Sequence, residues 1–337
     1  MTKEQINELL SKGEFEEYRD LPLIIETHIS WVFMCDQFAY KIKKPIHYSF
    51  LDFSTLEKRK YYCQREIELN KRLSGDIYID VQPVRKSSAC YFIGSKKGEV
   101  LDYAVKMKKM DGQKQMDVLL INNRVTESHI RNLAAKIADF HKKADIILQK
   151  DILGIPKKFA DLGKESDYLS QNLKANSRSI IRSAIESSNA FMEKNKSLLD
   201  NRLKAGFLRD CHGDLHCRNI FLLPGPVPFD CIEFNDDYRQ IDVLNEIAFL
   251  CMDLDAFGRK DLGDLFLSCY NKRFPSMKTD EDRKLFIYYK SYRSNIRAKV
   301  NSLRARTAIN QAQRNSALKE AGKYLDLMDV YIKELRS

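Results

Sequence analysis

Apolar and polar positions alternate through residues 22–44, broken by Asp36-Gln37, and this period of two predicts two or three strands with a turn at that dipeptide. Ile77 to Val84, Cys90 to Ile93 and Val100 to Met107 predict further strands, with Lys96-Lys97-Gly98 as a turn. Between the two groups, residues 55–73 set Leu56, Ile67, Leu69 and Leu73 among many charges, the pattern of a helix. Residues 3–17 read as a short polar helix and His47 to Phe53 as an aromatic loop. Past Asp111-Gly112 helical spacing takes over. Ile130, Leu133, Ala134, Ile137, Ala138 and His141 step along one helix face, which makes His141 a packed or surface residue. Residues 167–194 are polar with a weak apolar stripe, expected to be an excursion over a substrate cleft or a mobile segment. Ile220 to Leu223 and Val227 to Phe234 flank Pro224-Gly225-Pro226 and predict a hairpin whose far strand carries Asp230 and Glu233. Three apart on a strand, those acids should face opposite ways unless a bulge intervenes. Leu244 to Leu254 is a strongly apolar helix, after which Asp253 and Asp255 should face a loop with Gly258. The last hundred residues are helical, and there Arg293, Arg297 and Arg304 form a basic stripe, read as a solvated face or as an anion-binding wall.

A β-rich first third followed by helices predicts an α+β chain in two parts, residues 1–110 and residues 111–337. At 44% hydrophobic residues, either part can bury a core. Lys and Arg outnumber Asp and Glu by 57 to 47, a net charge of +10. That excess invites a nucleic-acid reading, but the charges are dispersed in mixed-sign runs and no helix-turn-helix, zinc-finger or RNA-recognition signature accompanies them. The same charge suits ATP and an anionic substrate. The eight cysteines show no Cys-x-x-Cys pair and read as reduced, buried residues of a cytosolic protein. A charged start and the lack of any apolar run near 20 residues predict a cytoplasmic protein with no membrane span.

The chemistry concentrates in His212-Gly213-Asp214-Leu215-His216-Cys217-Arg218-Asn219, a carboxylate and a carboxamide five residues apart in a turn. Transfer from Mg-ATP needs a carboxylate to orient the attacking hydroxyl and oxygen ligands for the Mg2+ that neutralises the phosphates. Asp214 suits the first task; Asn219 with Glu233 or Asp230 suits the second. A carboxamide oxygen binds Mg2+ without adding charge to a site crowded with phosphate. His212 is a scaffold residue or takes direct catalytic duty, His216 packs on the loop or faces substrate, and Cys217 is the thiol to watch for reactivity.

With its following Phe229-Asp230-Cys231-Ile232-Glu233-Phe234, this loop resembles the H-G-D-x-H-x-x-N catalytic loop of the aminoglycoside phosphotransferase-like kinases. Thr27 to Phe33, Tyr40 to Pro45 and Leu51 to Arg59 resemble a bacterial branch of that family with uncharacterised substrates, so the likeness spreads from about residue 20 to about residue 310. It implies a bilobal protein-kinase-like fold, with ATP between a β-rich lobe and a helical lobe. It further implies a strand lysine on the phosphates, anchored by a helix glutamate. Ala39-Tyr40-Lys41 matches the strand, making Lys41 the choice and Lys43, of equal strand parity, the runner-up. Glu66 is preferred to Glu68 as the partner. Met107 to Met110 would form the hinge against adenine. No glycine occurs between Gly13 and Gly75, so Thr27 to Ser30 would have to cap the phosphates with hydroxyls and N–H groups. By register Glu233 takes the metal position, ahead of Asp230, and Asp242 matches a structural aspartate. The function implied is ATP- and Mg2+-dependent phosphorylation of a small hydroxylated molecule, an anionic one included. The alternatives are a protein kinase or other nucleotide-dependent transferase, and a catalytically silent nucleotide- or RNA-binding protein.

Overall fold

The computed structural model describes residues 1–337 other than Glu16, Glu17, Arg19, Ser49, Ser88, Ala89, Ser95, Ala175 and Ser337. In chain order come α1 (Lys3–Lys12), β1 (Glu14–Phe15), β2 (Leu23–Glu26), β3 (Ser30–Met34), β4 (Phe38–Lys43), β5 (His47–Tyr48), β6 (Leu51–Asp52), α2 (Leu56–Ser74), β7 (Tyr78–Ser87), β8 (Cys90–Ile93) and β9 (Glu99–Lys108). Then follow α3 (Met116–Ile121), α4 (Glu127–Lys143), α5 (Ile155–Ala160), α6 (Ser166–Asn172), α7 (Ser177–Lys194), α8 (Lys196–Lys204), β10 (Leu208–Asp210), β11 (Ile220–Leu222) and β12 (Pro226–Pro228). The chain ends with α9 (Asp236–Arg239), β13 (Gln240–Asp242), α10 (Val243–Ala256), α11 (Lys260–Arg273), α12 (Asp280–Arg306) and α13 (Gln311–Arg336). These residues fold as two compact units, one of Met1–Val118 with Arg218–Arg239, the other of Leu119–Cys217 with Gln240–Ser337.

The first unit is built on a sheet in the order β1-β8-β7-β9-β4-β3-β2. Because side chains alternate across a strand, register decides which residues share a face. One face carries Trp31, Phe33, Tyr40, Ile42 and Ala104, which pack with Ile6 and Leu9 of α1. Such side chains each contribute about 1.5–3 kcal/mol when withdrawn from water, so this face anchors the sheet. The opposite face carries a row Ile25, Val32, Lys41, Val105 and Val81, and beside it a row Leu23, Met34, Ala39 and Met107. Helix α2 is capped by Thr55, whose hydroxyl accepts the Lys58 N–H, and buries Cys63 and Ile67 against Tyr78 and Val105 on this second face.

Three local expectations change here. The N-terminal helix stops at Lys12, since Glu14–Phe15 leave it to pair with β8; Glu16 and Glu17 of the expected helix lie outside the described residues. The expected aromatic loop holds a small ladder, His47 opposite Asp52 and Tyr48 opposite Leu51, around Ser49, itself outside the described residues. The second strand of the 220–234 hairpin is only Pro226–Pro228. At Asp230 φ turns to +62°, which ends the extended run.

The second unit is helical around α10, buried from Val243 to Leu254. Asp242 caps α10 by accepting the Leu244 N–H at 2.8 Å and pairs with Arg202 at 2.6 and 2.9 Å, a structural role. Helix α7 is no excursion. Ile180, Ile181, Ala184 and Met192 lie buried on it, the first three in a core with Phe249, Tyr324 and Met328. Its apolar residues are few but fall on one side, and that stripe suffices to bury it. The basic stripe is not one face in water either: Arg293 and Arg297 are buried, and only Arg304 is exposed. No helix among the described residues is long and apolar enough to cross a membrane.

Candidate functional site

In the first unit, the alternation of β4 puts Lys41 and Lys43 on the face that α2 covers. Lys41 Nζ lies 2.8 Å from Glu66 Oε1 and 2.6 Å from Asp230 Oδ1. Lys43 Nζ lies 2.6 Å from Glu66 Oε2 and also bonds Glu233. One helix glutamate therefore serves both lysines, a carboxylate oxygen to each. Asp230 and Glu233 meet the same cluster rather than opposite faces, because the turn at Asp230 removes them from any common strand. Asp is among the few residues that tolerate positive φ. The turn is held by two more groups: the Asp230 N–H donates to the Tyr78 hydroxyl at 3.1 Å, and the Cys231 N–H donates to Asn70 Oδ1 at 2.9 Å. Asn70 stands one helical turn after Glu66, so one stripe of α2 positions both the lysines and the acid segment.

Burial opposes charge on Glu66, but the flanking Lys41 and Lys43 outweigh it and hold the carboxyl down at about 2. Glu233 moves upward: burial, helped by the Glu66 carboxylate, overcomes the pull of Lys43. Both directions follow from three carboxylates sharing two ammonium groups, with Glu66 between the cations and Glu233 at the end. Burial likewise opposes the Lys41 ammonium, and Asp230 and Glu66 reverse the result and raise it. The two candidate acids differ in access. Glu233 is 4% exposed, whereas the Asp230 side chain is 43% open.

The Thr27 hydroxyl is engaged in its own turn and the Ser30 hydroxyl is out of reach. Thr27 Oγ1 donates to the Ser30 carbonyl and accepts the Ser30 N–H, closing the β2–β3 turn, while the Ser30 hydroxyl is buried without a partner. Met107 lies on the Lys41 face in the row of Ala39, and Met110 follows β9, half-buried. Asn219 is buried after a short turn, directly before β11, and its carbonyl accepts the Phe229 N–H at 3.0 Å.

In the second unit, α10 grips the loop 212–217. Glu246 accepts the N–H groups of His212 and Gly213 at 2.6 and 2.9 Å, and Asp253 accepts that of Cys217 at 2.9 Å. These acids are seven residues apart, two turns of one helix face. Asp253 is thus buried within α10, not facing a loop, and also takes the Tyr324 hydroxyl at 2.6 Å. Gly213, at φ +88°, makes a turn that a side chain would strain, and its carbonyl accepts from Arg293 at 3.1 Å. Arg293 also donates to Asn245 Oδ1 at 2.7 Å, which removes it from any anion wall. His212 is fully buried and its Nδ1 accepts the Asp214 N–H at 3.3 Å, the geometry of a scaffold residue.

Asp214 keeps 37% of its side chain open, 3.4 Å from His216 Nε2. Burial would raise its carboxyl, but His216, Arg297 and His212 prevail and hold it well below the usual range. It is ionised at neutral pH and accepts hydrogen bonds. His216 rests on the Phe249 ring, and Cys217 is buried, which removes the access a reactive thiol needs. Of the two places expected for His141, the structure gives the packed one: its Nδ1 accepts from or donates to the Tyr270 hydroxyl at 2.7 Å. With Cys211 and Glu246 it brings three ligand-type atoms within 4.8 Å, but both Glu246 oxygens already serve the loop.

Sequence reasoning passed over Asn70 and Glu246, and set Asp253 at a loop. The last two carried a signal: acids inside a strongly apolar helix must be paired, and here the partners are backbone N–H groups.

No family model matches the chain. Proteins described as uncharacterised from Mycobacterium tuberculosis and Mycobacterium bovis are 31% identical over 288 residues, covering 83% of this chain and 54% of theirs. The chain thus spans about half the length of the curated relatives it matches. Among solved structures, a thermostable mutant of an aminoglycoside phosphotransferase superposes with a TM-score of 0.51 at 10% identity, over 94% of both chains. A Plasmodium vivax ethanolamine kinase gives 0.52 at 9% identity, over 90% of this chain and 81% of its own. The chain has the α+β, kinase-like fold of the aminoglycoside phosphotransferases and ethanolamine kinases, in keeping with the resemblance that its His212 to Asn219 loop carries.

Proposed function

We propose that this protein is a phosphotransferase that uses ATP and Mg2+ to phosphorylate a hydroxyl of a small molecule. The observation that carries the reading is the Lys41 ammonium, bound at once to the helix glutamate Glu66 and to the open carboxylate of Asp230. An ammonium so placed on a sheet can give its remaining donor to a phosphate oxygen. Around it, Leu23 and Ile25 lie 76% and 53% exposed on the same face, with Val32, Met34, Ala39 and Met107. An apolar patch beside a cation suits a flat base with charged phosphates.

The donor chemistry fits magnesium: Asp230 offers a hard, accessible oxygen and Asn219 a neutral carboxamide oxygen. Bound there, the ion would neutralise phosphate charge. Access favours Asp230 over Glu233, whose carboxylate is buried on Lys43. Asp214, ionised and partly open, orients the acceptor hydroxyl and takes its proton, while Glu246 and Asp253 fix its loop. His212 supports that loop from within. The acceptor is a small hydroxylated compound, the class acted on by the two enzymes whose fold is shared, in the sense that their names specify.

The test is acceptor-dependent release of ADP across sugars, nucleosides and amino alcohols, using the full chain with Mg-ATP. Wild type should turn over at least one class, and Asp214→Asn should lose about 10²-fold or more. Lack of any turnover together with lack of ATP binding would overturn the reading.

A further inference from the structure

The ion-pair cluster holds one lysine and one acid more than phosphate and metal binding require. Lys43 is fully buried and Glu233 nearly so, each held on partners within the cluster. Lys43 is further fixed 4.8 Å above the Phe53 ring. Tying β4 to the 230–234 segment does not by itself require charge, since replacing a buried ion pair with apolar side chains of similar volume is often neutral or stabilising.

What the pair adds is independence from the ligand. Lys41 contacts Glu66 and Asp230, the two acids that lose hold on it when phosphate oxygens compete for its ammonium and a cation competes for Asp230. A site built on Lys41 alone would loosen as it filled. Here Glu66 Oε2 stays on Lys43, and Lys43 stays on Glu233, three residues beyond Asp230. Resting on the function proposed above, we propose that Lys43 and Glu233 are positioning residues that keep Glu66 and the Asp230 turn in place while Lys41 and Asp230 are given over to nucleotide and magnesium. The αL turn makes this necessary: Asp230 is held in a conformation of limited tolerance, and its ion pair with Lys41 is one of its restraints. The second pair replaces that restraint from within the core.

The consequence is thermodynamic coupling between magnesium and nucleotide. The full chain is titrated calorimetrically with ATP in magnesium buffer and with ATP in EDTA, and the ratio of the two dissociation constants is the readout. In Lys43→Met/Glu233→Met, an apolar replacement expected to fold, the magnesium advantage should fall about tenfold, as for other groups that orient metal ligands. Glu233→Gln, nearly isosteric, should lower the ratio in the same direction if the double variant does not fold. A purely structural pair would leave the ratio alone whatever the melting temperature does, so a wild-type ratio in either folded variant overturns the inference while sparing the proposed function. Failure of the wild type itself to bind ATP in both buffers removes the proposed function and this inference with it.

Discussion

Glu66 has both carboxylate oxygens on ammonium groups and none in water, so its charge is worth most where its partners are charged too. Its folded carboxyl sits at about 2 against an ordinary 4.5, a lowered value. The stability it contributes is therefore complete above about 4.5 and is lost as pH falls toward 2. Urea unfolding of the wild type should weaken across that window, and Glu66→Gln should show a shallower slope there. At neutral pH the substitution strands two buried lysines and should cost roughly 3–5 kcal/mol; an unchanged slope would count against the two-lysine geometry. Asp230 offers a second test, because its φ of +62° separates side-chain charge from backbone tolerance. Asn also tolerates this region and Ala does not, so Asp230→Asn should melt higher than Asp230→Ala by an amount worth about 1 kcal/mol. Equal melting of the two would mean that the turn relaxes.

Helix α10 shows how an element, rather than a residue, sets the loop. Buried from Val243 to Leu254, it cannot shift without disturbing the core, and it passes that rigidity to residues 212–217 through Glu246 and Asp253. Hydrogen bonds to a charged acceptor are worth about 1.5–3 kcal/mol each. Glu246→Gln should accelerate amide exchange at His212 and Gly213, and Asp253→Asn at Cys217, each leaving the other end of the loop protected. Acceleration spread evenly along the loop would show that the two acids do not act separately. The expected hairpin illustrates the reverse dependence. Its apolar pattern runs to Phe234, yet pairing stops at Pro228, since Asp230 and Cys231 find partners in Tyr78 and Asn70 and not in a strand.

For the whole molecule, a ligand that binds only the folded chain raises its stability by mass action. Mg-ATP at about 100 times its dissociation constant should add about 2.7 kcal/mol, read as a rise in melting temperature. Lys41→Met should abolish the rise. A rise of equal size in that variant would place the nucleotide elsewhere. The net charge of +10 does not by itself choose a partner, because the buried arginines that form part of it are occupied: Arg202 by Asp242 and Asp282, Arg293 by Gly213 and Asn245. Counting charges cannot separate such residues from solvated ones.

Much was legible along the chain because it depends on local period and short motifs. That residues 22–44 form strands, that α2 is a helix and that Lys41 and Lys43 share a strand face follow from spacing that neighbouring residues already define. Tertiary structure alone decided what each charge touches. Whether Asp230 or Glu233 stays open, which arginines reach water, whether α7 packs and which acids hold the loop depend on partners tens to hundreds of residues away. Burial makes those pairings obligatory, and no local pattern records the distance across which they form.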